Sequence, residues 1–185
     1  MAAVRKRWKR AEKAVASGYN SVFVSVRGQP MFVVSRYLRP ERVMLDMEVG
    51  GREEAIRVLA ECLRGAAEVK DFDGFVQDVL RREEQGSTAV GMGVAIPHAR
   101  TDKVQGFVVA VGRLKEPIKW PSPDNQPVQL LFLMGTSTKI VARYIQIVAH
   151  LTRILRHSDF REKLLKATTA EDLVRLFLSE ERAEK

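Results

Sequence analysis

The stretch Gly86-Ser87-Thr88-Ala89-Val90-Gly91-Met92-Gly93-Val94-Ala95-Ile96-Pro97-His98-Ala99-Arg100 leaves the backbone little choice. Two short apolar runs, Ala89-Val90 and Val94-Ala95-Ile96, flank Gly-Met-Gly. Glycine tolerates the positive φ angles of a tight turn, so a turn between two short strands is predicted here. Pro97 locks its own φ and drives Ile96 into an extended conformation, so the chain enters His98 stiffly. A histidine held on a rigid strand end, beside hydroxyls and a guanidinium, is a candidate for phosphate chemistry. The alternative at this point is an ordinary strand end.

Around this stretch, strand-like and helix-like segments alternate. Val43–Met47 reads as a strand. Gly51-Arg52-Glu53-Glu54 then opens a helix whose apolar positions Ala55, Ile56, Leu59, Cys62 and Leu63 recur at helical spacing, with Gly65 as its C-cap. Asp71 is placed to cap a second helix with Phe72, Val76, Val79 and Leu80 on its buried face. Gly106–Val111 and Ile118–Trp120 are expected as strands. Val128–Met134 suits a central strand covered on both faces. A helix of about 18 residues is expected from Lys139, judged from its apolar periodicity. Ser158 should cap a helix over Phe160–Lys166, and Thr169 with Glu171 and Asp172 opens a last one through Leu178. The fold class implied is α/β, a sheet layered with helices.

The net charge of +8 in 185 residues hints at nucleic acid or an anionic surface. Its location weakens that hint. Residues 1–38 hold eight Lys/Arg against the single acid Glu12, whereas the rest of the chain holds 23 basic and 22 acidic residues. The basicity therefore belongs to a basic N-terminal extension, residues 1–38, preceding a main domain over residues 39–185. In that extension, residues 1–17 read as a basic helix, and residues 21–26 and 31–35 as a hairpin. A nucleic-acid or anionic-membrane partner rests on this arm alone. No apolar run is long enough to span a bilayer and no signal core follows the N-terminus. One cysteine excludes an internal disulfide and a cysteine-rich zinc site, so a cytoplasmic location is expected. Cys62 falls on an apolar stripe and reads as a core thiol.

The chain has three histidines: His98, His150 and His157. Lys139, Arg143, Gln146, His150, Arg153 and His157 recur every three or four positions as a solvent stripe on the long helix, leaving Tyr144, Ile145 and their neighbours on the apolar face. His150 and His157 then lie at the surface, too far apart and too poor in carboxylates for a metal site. His98 remains. With an ordinary pKa of ~6.5, its ring offers a lone pair at neutral pH that can attack a phosphoryl group in line. Such a transfer asks for positioning and charge stabilisation.

The run Arg82-Glu83-Glu84-Gln85-Gly86-Ser87-Thr88, followed by Gly91-Met92-Gly93-Val94-Ala95-Ile96-Pro97-His98-Ala99-Arg100, resembles the phosphorylation-site signature of enzyme IIA domains. These are the fructose–mannitol–nitrogen group of the bacterial phosphoenolpyruvate-dependent sugar phosphotransferase system. Asp124-Asn125-Gln126-Pro127-Val128 is similar to the nitrogen-regulatory branch, and the long helix and Phe160–Ala167 also fit. The resemblance covers residues 40–180 and implies a mixed β-sheet with helices on both faces. It implies a phosphoryl carrier in which His98 is phosphorylated by a phosphohistidine carrier of the HPr type. Arg82 would help hold the phosphate and Ser87 and Thr88 would line the site. It also implies no cofactor and no metal.

Family members carry a second histidine near the start of the long helix, and alignment puts Tyr144 in that place. A tyrosine hydroxyl can donate a hydrogen bond to phosphate, but the side chain cannot become cationic. Regulation through protein targets such as transporters or kinases is favoured over sugar uptake, since no membrane channel accompanies the domain. The alternative is a non-catalytic interaction module that keeps the fold and relays no phosphate.

Overall fold

The computed structural model describes residues 34–183. The helix expected over residues 1–17 and the strand over 21–26 lie outside the described residues. Val34–Arg36 is a single turn of 3-10 helix, where the end of a strand was expected.

Six strands form one mixed sheet: β1 (Val43–Met47), β2 (Ala89–Gly91), β3 (Val94–Ala95), β4 (His98–Thr101), β5 (Phe107–Ile118) and β6 (Val128–Ser137). Their spatial order is β1-β5-β6-β3-β2, and β4 also pairs with β6. β1 runs parallel to β5, β5 antiparallel to β6, and β3 antiparallel to β2. β3 and β4 both run parallel to β6 and divide one of its edges between them, with Ala95 opposite Leu131 and His98 opposite Met134. The seam between them is Ile96-Pro97. Proline has no N–H for the ladder, yet the Pro97 carbonyl still accepts from the Met134 N–H at 2.8 Å. The chain thus continues straight along the central strand into His98.

Helices α1 (Arg52–Ala60) and α2 (Phe72–Glu84) cover one face of the sheet. Helices α3 (Val141–Ile154), α4 (Ser158–Lys166) and α5 (Ala170–Ala183) cover the other. Each face has its own core. Ile56, Leu59, Phe75 and Val79 pack with Val108, Ala110, Leu131 and Leu133 on the first, and Ile147, Leu151, Phe160 and Phe177 with Val109, Val111, Phe132 and Met134 on the second. With both faces covered, β5 and β6 carry nearly continuous apolar runs instead of alternating ones. β5 is accordingly one 12-residue strand, longer than the Gly106–Val111 segment expected, and Trp120 lies beyond its end.

The local signals act as the residue types dictate. The Asp71 carboxylate accepts from the Gly74 N–H at 3.0 Å and caps α2, and Thr169 Oγ1 accepts from the Asp172 N–H at 3.1 Å at the start of α5. Gly65 takes a φ of 79° after the α1 segment. Phe75, not Phe72, anchors the buried face of α2. α4 begins at Ser158 after His157, and no side chain caps it. α3 is 14 residues long and opens on Ile140, an aliphatic side chain with nothing to cap the helix. Cys62 is buried, and burial pushes its thiol up to about 11, as befits a core residue.

Two side chains on α3 depart from the expected stripe. Ile145 is 58% exposed, although the helical pattern put it on the apolar face. His150 is withdrawn from solvent, with its side chain only 13% exposed and its Nε2 2.9 Å from Glu181 on α5. Arg153 donates to His150 Nδ1 at 2.9 Å, so Nε2 carries the proton and donates to the carboxylate. Glu181, 4% exposed, also accepts from the Val34 N–H at 2.7 Å and from the Ser35 N–H. Glu181, in the last turn of α5, reaches back to this histidine, which is why a residue read as solvent-facing is held half-buried. His157 lies beyond α3, exposed, immediately before α4. Among the described residues no group of His, Cys, Asp and Glu could hold a metal ion, and no helix is long and apolar enough to cross a membrane.

Candidate functional site

β2 and β3 form the expected hairpin. Met92 and Gly93 make its turn with φ of 58° and 72°, the left-handed pair that two-residue hairpin loops require. The Met92 N–H donates to the Asp124 carboxylate at 2.7 Å, which pins the turn to the loop before β6. Past the turn, strand alternation decides which way His98 faces. Val94 and Ile96 belong to the core under α3, Ala95 and Ala99 to the core under α2. His98 therefore falls on the α3 side, where its ring centroid lies 5.5 Å from that of Tyr144 with the planes tilted by 43°.

The ring is oriented from behind. His98 Nδ1 lies 2.8 Å from the Ile96 carbonyl oxygen. A carbonyl can only accept, so Nδ1 carries the proton and Nε2 is left with the lone pair. Burial holds the His98 pKa below its ordinary value. The hydrogen bond to Ile96 works against that shift, the Arg82 charge works with it, and the Glu83 charge against it. The neutral ring with a free Nε2 is thus the form present at neutral pH. Tyr144 is pushed up to about 12, chiefly by burial, so its hydroxyl keeps its proton and is a donor throughout the physiological range.

Arg82 comes from the last turn of α2, and its Nη1 donates to the Gly86 carbonyl at 2.8 Å. Its positive charge acts on both His98 and Tyr144. Ser87 and Thr88 sit differently from the expectation that their hydroxyls line a phosphate site. Ser87 Oγ donates to the Pro121 carbonyl, and Thr88 Oγ1 donates to Glu83 at 2.5 Å. Both hydroxyl protons are directed into the protein. These residues shape the loop in front of β2.

The residue that sequence reasoning passed over is Glu83. It is 4% exposed at the end of α2, and it accepts from the Thr88 N–H at 3.2 Å, from the Thr88 hydroxyl, and from Trp120 Nε1 at 2.8 Å. Arg52 of α1 stands 3.9 Å away. A signal was present, since Val76, Val79, Leu80 and Glu83 share the i, i+3, i+4, i+7 spacing of one helix face. An acid on a buried stripe must be hydrogen-bonded or paired, and this one is both.

A histidine with a bare Nε2, a neutral donor against its ring and a fixed guanidinium nearby can accept and hold an anionic electrophile. Residues 36–180 match the family described as phosphoenolpyruvate-dependent sugar phosphotransferase system, EIIA 2. The chain belongs to this type-2 EIIA family. Domains of the family carry phosphoryl groups. Over 127 residues this EIIA protein is 37% identical to the fructose-specific EIIA component of Haloferax volcanii, covering 69% of this chain and 82% of that one. Over 140 residues it is 32% identical to a nitrogen regulatory protein of Bradyrhizobium diazoefficiens, covering 75% and 90%. The crystal structure of nitrogen regulatory protein IIA-Ntr from Neisseria meningitidis superposes with a TM-score of 0.72 at 27% identity, covering 78% of this chain and 98% of that one. The mixed sheet flanked by helices is therefore the EIIA fold, and both fructose-type and nitrogen-type proteins are relatives.

Proposed function

We propose that this EIIA protein is a phosphoryl carrier in which His98 accepts a phosphoryl group from a phosphohistidine carrier of the HPr type, and that it acts mainly as a nitrogen-type regulator of other proteins. The observation that carries the chemical reading is the Nδ1 hydrogen bond to Ile96, which leaves Nε2 as the nucleophile in a ring held neutral. In the transfer, the Nε2 lone pair forms an N–P bond as the donor's own N–P bond breaks. The donor imidazole leaves with its electron pair, and no proton has to leave His98, because Nδ1 keeps its hydrogen. Arg82 neutralises part of the phosphoryl charge and the Tyr144 hydroxyl donates to one of its oxygens. The regulatory reading is supported by the similarity to nitrogen regulatory proteins in sequence and structure. The partner would dock on the face around His98, where Ile145 stands exposed beside Tyr144.

Incubation with phosphoenolpyruvate, enzyme I and an HPr-type carrier should label the protein with an acid-labile, base-stable phosphate. The label should be lost in His98→Ala. Failure to label the wild type with any such carrier would leave the alternative, an interaction module that keeps the fold without the relay. A label that persists in His98→Ala would mean that another residue is the acceptor.

A further inference from the structure

Glu83 lies at one end of a chain of hydrogen bonds that finishes on the His98 ring. Its carboxylate takes both the N–H and the hydroxyl of Thr88, the Thr88 carbonyl accepts from the Ile96 N–H at 3.0 Å, and the Ile96 carbonyl accepts from His98 Nδ1 at 2.8 Å. Three residues from three segments are thereby locked in sequence: the helix end, the loop before β2, and the seam between β3 and β4. None of the intermediate groups has a free choice of partner. The Ile96 carbonyl precedes a proline, whose ring fixes the following backbone, and Thr88 is buried.

We infer that Glu83 is a positioning residue for phosphoryl transfer, which aims the His98 ring through Thr88 and Ile96 and holds a negative charge behind it while the ring becomes cationic. The inference rests on His98 being the phosphoacceptor. When Nε2 bonds to phosphorus and Nδ1 keeps its hydrogen, the imidazole gains positive character, and no proton leaves to cancel it. A buried anion nearby stabilises that state through space, and the hydrogen-bond chain keeps Nδ1–H pointed at a carbonyl acceptor. The charged and titratable groups facing this pair are Arg52 from α1, which partly compensates Glu83, Arg82 from α2, and Tyr144 from α3. Of these, Arg82 opposes a positive ring and Glu83 favours it, as the opposite directions in which they move the His98 pKa attest.

The test is Glu83→Gln in the full-length protein, read by two independent measurements. Ring 15N NMR of the unphosphorylated protein follows the tautomer and titration of His98. Phosphoryl transfer from the HPr-type carrier is followed across pH. The expected result is a His98 titration at lower pH than wild type, mixing of the two ring tautomers, and a transfer rate about tenfold down on the plateau with KM for the carrier unchanged. Tenfold is below the ~10²–10³ typical of a donor that touches the reacting group, since Glu83 acts through intermediates. A folded Glu83→Gln protein whose ring titration and tautomer match wild type overturns the inference, whatever happens to the rate.

Should Glu83→Gln fail to fold, Arg52→Gln, at a half-exposed side chain, serves instead. Removing the compensating cation should raise the His98 titration, and an unchanged value overturns the inference. The ring measurement needs no phosphate. If the wild type takes no label, the phosphoacceptor reading falls, while the NMR comparison still decides whether Glu83 governs the ring.

Discussion

Tyr144→Phe removes one hydroxyl from the wall of the site and nothing else. The aromatic ring, 5.5 Å from that of His98, stays in place to pack against it. Burial and the Arg82 charge alone account for the shift of the Tyr144 hydroxyl, and no hydrogen bond to a described residue contributes. Among the described residues the hydroxyl has no hydrogen-bond partner to lose, so folding stability should change by less than about 0.5 kcal/mol. A hydroxyl pushed up to about 12 remains a donor, and one hydrogen bond to a charged acceptor is worth about 1.5–3 kcal/mol. At about 1.4 kcal/mol per factor of ten, that is about ten- to hundredfold in the equilibrium between phosphorylated and free protein. The half-buried position of Tyr144 favours the lower end. The assay equilibrates the variant with the phosphorylated carrier protein and measures the fraction labelled, alongside a thermal melt. Tyr144→His is the companion, expected to transfer faster because an imidazolium adds attraction for the phosphoryl group. Wild-type labelling in the Phe variant would refute the reasoning. So would a loss of labelling matched by a comparable loss of stability, since the ring would then be acting through packing.

Four further outcomes are expected. On the proposed chemistry the neutral His98 ring attacks, and its pKa lies below the ordinary value of ~6.5, so transfer should be flat above that pH and fall as acid protonates the ring. The same shift makes His98 bind a proton more readily in the unfolded chain, so its share of stability is present above ~6.5 and is lost as pH falls from there towards the folded value. Paired melts at stepped pH, with His98→Gln as reference, would reveal a reversed slope. Ile145→Lys should raise KM for the partner protein about fivefold or more, with the melting temperature unchanged, because the side chain is 58% exposed; an unaltered KM would move the docking face elsewhere. Gly135→Ala should destabilise by about 1–3 kcal/mol in a urea titration. Its Cβ would stand 2.8 Å from Phe75 and 2.9 Å from Val108, so an unchanged midpoint would mean that α2 lifts freely off the sheet.

Much of this architecture was legible in the sequence because its signals are local. The Met92-Gly93 turn, the Asp71 cap and the two-sided core strand each follow from a few adjacent residues, and the stiff approach through Pro97 puts His98 on a strand. What could not be read is which partner each polar side chain finds across the fold. Thr88 looks like a hydroxyl available to a ligand until a buried carboxylate five residues earlier takes it. His150 occupies a polar position in the helical repeat and is half-buried all the same, because an acid on α5 comes to meet it. In both cases the determining residue, Glu83 or Glu181, is an acid on an otherwise apolar helix stripe. Ile145 is the converse, an aliphatic side chain left 58% exposed.

The two walls of the site differ in what holds them. His98 begins a short strand laddered to β6, which is paired along both edges. Tyr144 lies in the first turn of a helix that opens on Ile140 without a cap. In hydrogen-exchange terms, the β4 amides should open only with global unfolding, and those of the first α3 turn by local fraying. His98 and Tyr144 would thus open in separate cooperative units. A docking protein could reshape the wall of the site at the cost of one helical turn, while His98 Nε2, the proposed acceptor, keeps the address given to it by the centre of the sheet.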